Sequence, residues 1–186
     1  MEKKALFIVD MVNGFVYDGP MSSPNVAAIV PYVVELTKQF RKRKYPVYAF
    51  ADAHKPDSLE FAVYPEHCLA GSHESEVIPE ILPLLHKANV IYKSTTNAWH
   101  EIYTRLVVDQ MIEDEIQEIH VVGCCTDICV LQFVLNLQTY LHDKGAKIAV
   151  KVIHEAVATY DAPDHDAKTY QQMALNIMKN TGVEIL

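Results

Sequence analysis

The feature that most constrains this chain is an alternation of two kinds of segment. Short runs rich in Val, Ile, Tyr and Phe, at 5–10, 46–51, 89–92, 118–123 and 147–154, read as buried strands, and a sixth closes the chain at 183–186. Between them, apolar residues recur every three or four positions at 26–42, 76–86, 101–113, 127–141 and 166–179, the spacing of helices with one buried stripe. Strands that alternate with helices require a mainly parallel sheet covered on both faces, an α/β three-layer architecture. No repeat, low-complexity tract or linker interrupts the 186 residues, so a single domain over 1–186 is expected.

Charge and composition remove several classes of function. A formal net charge of −8 and a pI near 5.5 leave only the short basic run 38–44, which reads as the solvated end of a helix, favourable to its dipole. Nucleic acid is therefore not an expected partner. The longest apolar stretches, 5–9 and 147–153, are too short to span a bilayer, and no basic-then-apolar leader opens the chain; no membrane partner and a cytoplasmic location are expected. Three of the four cysteines, Cys124, Cys125 and Cys129, crowd into six residues whose geometry disfavours mutual disulfides, and with Cys68 they suit a reducing compartment. The first strand is followed by Asp10-Met11-Val12-Asn13-Gly14-Phe15 rather than a glycine-rich phosphate loop, which argues against nucleotide binding.

In an open parallel sheet, ligands bind beyond the carboxyl ends of the strands. Here those ends are polar. Strand one closes on Asp10, strand two on Asp52 and His54, strand three on Lys93, and strand four on Gly123, after which a loop and helix carry Cys129. One such residue is an ordinary turn or surface position; four on one rim is a candidate site. In Gly123-Cys124-Cys125-Thr126-Asp127-Ile128-Cys129, the last cysteine stands in the first turn of an apolar helix, where unpaired amides and the dipole favour a thiolate. Thr126 or Asp127 is suited to cap that helix, and the backbone amides of Cys125 and Cys129 can converge on an oxyanion. Cys124 and Cys125 themselves read as packing residues. A carboxylate can accept the thiol proton, while a neighbouring ammonium lowers the thiol pKa and offsets burial of Asp10.

These elements together make the chain similar to the isochorismatase-like cysteine hydrolases, and within them to the nicotinamidases, over nearly its whole length. The resemblance rests on Ile8-Val9-Asp10, Ile91-Tyr92-Lys93 and the Gly-x-x-Thr-x-x-Cys segment ending at Cys129, in that order. It implies a six-stranded sheet in the order 3-2-1-4-5-6, with Cys129 as nucleophile, Asp10 as proton acceptor and donor, and Lys93 as the cation that holds the pair together. It also implies a cis peptide at Cys124-Cys125. The reaction implied is hydrolysis of nicotinamide to nicotinic acid and ammonia through a thioester, a step of pyridine nucleotide salvage and NAD biosynthesis. Another small amide, a carbamoyl compound or a vinyl ether is the alternative substrate, and a catalytically silent scaffold of the same fold is the alternative class.

Asp52-Ala53-His54 places a carboxylate and an imidazole on one side of an extended segment, with Glu60 and His67 on the loop that follows. Such a mixed set suits zinc, manganese or iron. By the resemblance, Asp52, His54, Glu60 and His67 are the ligands of a divalent metal, zinc foremost; Tyr64-Pro65-Glu66-His67-Cys68 carries the last of them, and Asp57 and Glu66 remain nearby substitutes for Glu60. Phe15 and Tyr64 match the aromatic walls around the substrate ring. The chain departs from the family after Lys93, where Ser94-Thr95-Thr96-Asn97-Ala98-Trp99 puts Thr96 in place of a tyrosine and offers Trp99 for a phenylalanine. The remaining histidines, His165 among them, receive no role. A homo-oligomer is expected from the relatives, with the apolar helix 130–141 serving either an interface or the core.

Overall fold

A computed structural model describes residues 3–186. Six strands form one sheet in the order β3-β2-β1-β4-β5-β6. They are β1 (Lys4–Val9), β2 (Val47–Asp52), β3 (Val90–Lys93), β4 (Glu118–Cys124), β5 (Ala149–Ala158) and β6 (Glu184–Ile185). Every pairing is parallel, so the expected order holds and the sheet is wholly rather than mainly parallel.

Both faces of β1 are buried, which is why its sequence is a continuous apolar run. Ala5, Phe7 and Val9 join one core with Phe50, Val107, Phe133, Leu137 and Leu175. Leu6 and Ile8 join the other with Val26, Ile29, Val33 and Ala49. Helices α1 (Asn13–Val16) and α2 (Pro24–Lys42) cover this second face. Helices α3 (Ile102–Glu113), α4 (Leu131–Asp143) and α5 (Ala167–Asn180) cover the first. Local chemistry sets two of the helix starts. Ser23 accepts from the Asn25 amide at 3.3 Å just ahead of Pro24, and Asp166 accepts from the Thr169 amide at 2.8 Å.

Three expectations fail for identifiable reasons. No α-helix forms over 76–86: Pro79 and Pro83 interrupt the ladder, leaving one 3-10 turn at Leu82–Leu84, although Ile78 and Ile81 still reach the core. The fifth strand runs past 154 to Ala158, because a register shift between Val121 and Gly123 lets Val157 and Ala158 pair with Gly123 and Cys124. The helix expected to begin at 127 begins instead as a single π turn, Thr126–Val130, before α4; neither Thr126 nor Asp127 caps it with its side chain. The apolar stripe of α4, with Phe133, Val134, Leu137 and Leu141, turns inward to the sheet, which settles its packing role. Among the described residues, no helix is long and apolar enough to cross a membrane.

Candidate active site and metal centre

Strand register brings the site together. Val9 pairs with Phe50 and with Gly123, and Asp52 pairs with Lys93, so the ends of four neighbouring strands lie side by side. Asp10 turns off the end of β1 with φ 51°, its amide bonded to Phe50 O at 3.1 Å and its carbonyl accepting from Cys124 Sγ at 3.2 Å. Gly123 is required here. Its φ is 115°, and a Cβ would stand 2.0 Å from the carbonyl oxygen of Val9. The Cys124-Cys125 peptide is cis, as the resemblance implied.

Lys93 Nζ lies 2.8 Å from Asp10 Oδ2 and bonds also to Asp52 Oδ1 and, at 3.0 Å, to the carbonyl of Thr95. Burial alone would discharge this ammonium; the two carboxylates outweigh it and hold its pKa well above the usual lysine value. Asp52 is buried too, yet Lys93 and the imidazoles of His54 and His67 keep its carboxyl far below the usual range, so it is ionised. Asp10 behaves oppositely. Burial, then repulsion from Asp52, raises it to about 7 against the pull of Lys93 and of the neighbouring Cys129 thiol. Ligating atoms of Asp10, Asp52 and Cys129 all lie within 4.8 Å of one another. Burial pushes the Cys129 thiol well above its ordinary pKa, and Lys93 only partly offsets this. Burial thus works against the thiolate that the helix start and Lys93 favour, and the sulfur lies beside a carboxylate able to take its proton.

The second half of the site begins on the other oxygen of Asp52. Oδ2 is 3.5 Å from His54 Nε2 and 3.8 Å from His67 Nε2, and ligating atoms of the three residues lie within 4.8 Å of one another. Each imidazole donates Nδ1–H to a carbonyl, His54 to Ser94 O at 3.1 Å and His67 to Pro65 O at 2.7 Å, which turns both Nε2 atoms toward Asp52. Glu60 Oε2 lies 4.0 Å from His54 Nε2. His54 Nε2 and Glu60 Oε2 are buried without hydrogen-bond partners, the condition a cation resolves. The donor set thus fits a divalent ion. Asp52, His54 and His67 form the convergent set, and Glu60 approaches it through His54.

Phe15 is buried with its ring centroid 5.5 Å from that of His67, and the Tyr64 centroid lies 6.4 Å from the same ring. Burial and the neighbouring Cys129 and Tyr160 raise the Tyr64 phenol. A cleft of about 700 Å³ opens beside Tyr64, with Met21, Pro65, Tyr160 and Asp161 among its walls. A hollow of about 470 Å³ around Lys3, Ile116 and Lys147 lies at the opposite end of the sheet, remote from these residues. Trp99 does not face the site: it packs on Tyr140 and Phe133 at 4.9 and 6.4 Å. Thr96 turns to Glu60 instead of forming a wall. Sequence reasoning also missed His165, which stacks between Tyr160 and Tyr170 at 4.1 and 3.8 Å and bonds Asp127 Oδ2 at 2.7 Å, bracing the turn that carries Cys129. Nothing in the spacing of His165 marks this, since the contact crosses 38 residues.

Fold and geometry define an α/β protein with a thiol, carboxylate and ammonium at its strand ends, abutting a cluster of metal-type donors. The isochorismatase domain matches residues 4–186, and the chain belongs to that family. It is 36% identical over 177 residues to nicotinamidase 1 of Arabidopsis thaliana, covering 88% of this chain and 72% of that one. The crystal structure of the nicotinamidase PncA from Bacillus subtilis superposes with a TM-score of 0.78 at 28% identity over 98% of both chains. The pyrazinamidase of Pyrococcus horikoshii in complex with zinc has the same fold, with a TM-score of 0.79 at 21% identity over 99% of this chain and 98% of that one. These relatives support amide hydrolysis within the family as the activity class.

Proposed function

We propose that the protein is a metal-containing cysteine amidohydrolase that converts nicotinamide to nicotinic acid and ammonia. The observation that carries this reading is the Lys93 ammonium shared by Asp10 and Asp52, which joins the carboxylate beside Cys129 to the donor cluster. By the family resemblance, isochorismatases lack such a cluster.

Asp10 takes the Cys129 proton as the sulfur adds to the amide carbon. The carbonyl electron pair moves onto oxygen, where the amides of Cys125 and Cys129 receive the charge. Lys93 holds Asp10 in place and stays charged throughout. Asp10 then gives its proton to the amide nitrogen, the C–N bond breaks, ammonia departs and a thioester remains. In the second half Asp10 takes a proton from water, the hydroxyl adds to the thioester carbon, and the C–S bond breaks as the sulfur recovers the proton. Phe15 and Tyr64 flank the ring of the substrate. A divalent ion held by Asp52, His54, Glu60 and His67 would supply a Lewis acid that positions the pyridine nitrogen or polarises bound water.

A second reading keeps the chemistry and changes the substrate to another small amide or a carbamoyl compound. It is favoured by Thr96, which leaves open a place where relatives carry a tyrosine. Ammonia release from nicotinamide, measured with and without chelator, separates the two. Release that falls with chelator supports the nicotinamidase reading; no release from zinc-loaded protein overturns it in favour of the second.

A further inference from the structure

Glu60 is the donor that most needs outside support, because it sits on a short 3-10 turn, Leu59–Ala62, flanked by the exposed side chains of Leu59 and Val63. The other three donors are held by the sheet end or by carbonyls. Glu60 is held by its own far oxygen. Its Oε1 accepts from the Thr96 amide at 2.9 Å and stands 3.3 Å from the Thr96 hydroxyl, while Oε2 remains unbonded beside His54 Nε2. A hydroxyl facing a carboxylate oxygen donates to it, so Thr96 Oγ1 has only lone pairs left for its next neighbour. That neighbour is Gln132: its Oε1 also stands 3.4 Å from the Thr96 hydroxyl, but with the hydroxyl proton on the charged Glu60 oxygen the contact that forms is the one from Gln132 Nε2, which donates to Thr96 Oγ1 at 3.2 Å. The bonds therefore run in one direction, from the Gln132 amide through the Thr96 hydroxyl to the Glu60 carboxylate.

We propose that Thr96 and Gln132 are positioning residues of the metal centre: their relay fixes Glu60 Oε1 so that Oε2 is presented to the ion as the fourth ligand. The inference rests on the metal centre of the proposed function. Gln132 lies in the first turn of α4, three residues after Cys129, so the relay also fastens the ion's least anchored ligand to the helix that follows the nucleophile. The threonine that removes a family aromatic wall is thus the residue that secures a carboxylate ligand in its place.

The test is zinc affinity of metal-stripped protein, read by competition with a chromophoric chelator, for the parent and for Thr96→Val, Thr96→Ser, Gln132→Met and Glu60→Gln. Loss of a partner behind a ligand commonly weakens metal binding by about 10–100-fold. Thr96→Val and Gln132→Met are expected to fall in that range with the metal-free melting temperature unchanged, while Thr96→Ser, which keeps the hydroxyl, returns to the parent's affinity. If Glu60→Gln weakens binding but Thr96→Val and Gln132→Met do not, the relay is refuted and the metal centre stands. If the parent itself binds no zinc, the metal centre fails and takes the relay with it.

Discussion

Replacing Gly123 by alanine strikes the point where the nucleophile segment passes closest to the first strand. The new Cβ would stand 2.0 Å from Val9 O, 2.7 Å from Val9 N and 2.8 Å from Val9 C, all backbone atoms of a central strand that cannot rotate away. A non-glycine residue at φ 115° adds backbone strain of its own. Strain of about 1–3 kcal/mol and overpacking of about 1–3 kcal/mol give a loss of about 2–6 kcal/mol. For a chain of this length that corresponds to a fall in melting temperature of about 4–24 °C. Gly145→Ala is the internal control, because its φ is also positive, 64°, yet a Cβ there meets nothing within 4 Å. It should cost only the left-handed penalty of about 1–2 kcal/mol. Thermal unfolding of both variants followed by circular dichroism decides the matter. Equal melting temperatures for the two would refute the argument that the β1–β4 contact, rather than backbone conformation alone, demands glycine.

Three further outcomes follow from the site and its surroundings. Cys129→Ala should lower turnover by more than about 10⁴-fold, the order lost when an acyl-transfer nucleophile is removed, while zinc content and circular dichroism stay those of the parent; residual activity above that level would remove Cys129 from its role. His54→Ala should bring zinc, assayed by atomic absorption after gel filtration, well below one equivalent, and full occupancy would contradict the assigned donor set. The third concerns Glu118, whose carboxyl is held at about 2, below the usual 4.5, first by the hydrogen bond from His120 and then by Lys4 and Lys151. Its contribution is complete above about 4.5 and disappears as the pH falls through about 2, so urea midpoints of the parent should drop more between pH 5 and pH 2.5 than those of Glu118→Gln; parallel curves would exclude the cluster as a source of acid lability.

The sheet was legible because its signal is local: runs such as Ala5 to Val9 are apolar on both faces, and only a covered parallel sheet accommodates that. The positions of Asp10, Asp52, His54, Lys93 and Cys129 were legible for a related reason, since each closes or follows a strand and strand ends converge, whereas Glu60 and His67 were named through the family resemblance. What stayed hidden depended on partners far along the chain. The region 76–86 has helical spacing, but Pro79 and Pro83 override it. The reach of β5 to Ala158 depends on its partner's bulge, which no single segment encodes. Asp127 looked like a helix cap because its competing partner, His165, stands 38 residues away. Thr96 looked like a missing wall because the carboxylate it holds comes from a different loop.

The ion cluster of Asp10, Lys93 and Asp52 has a kinetic consequence. Its members come from the ends of three different strands, with Asp52 and Lys93 standing 41 positions apart in the chain, so none can be shielded from water until β1, β2 and β3 are aligned. Contacts of such sequence separation form late, after the strands that bear them have found their register. Interactions absent from the folding barrier act on the rate of unfolding. Lys93→Met should accordingly leave the refolding rate close to that of the parent and hasten unfolding, which makes the centre of the site a determinant of the native state's lifetime.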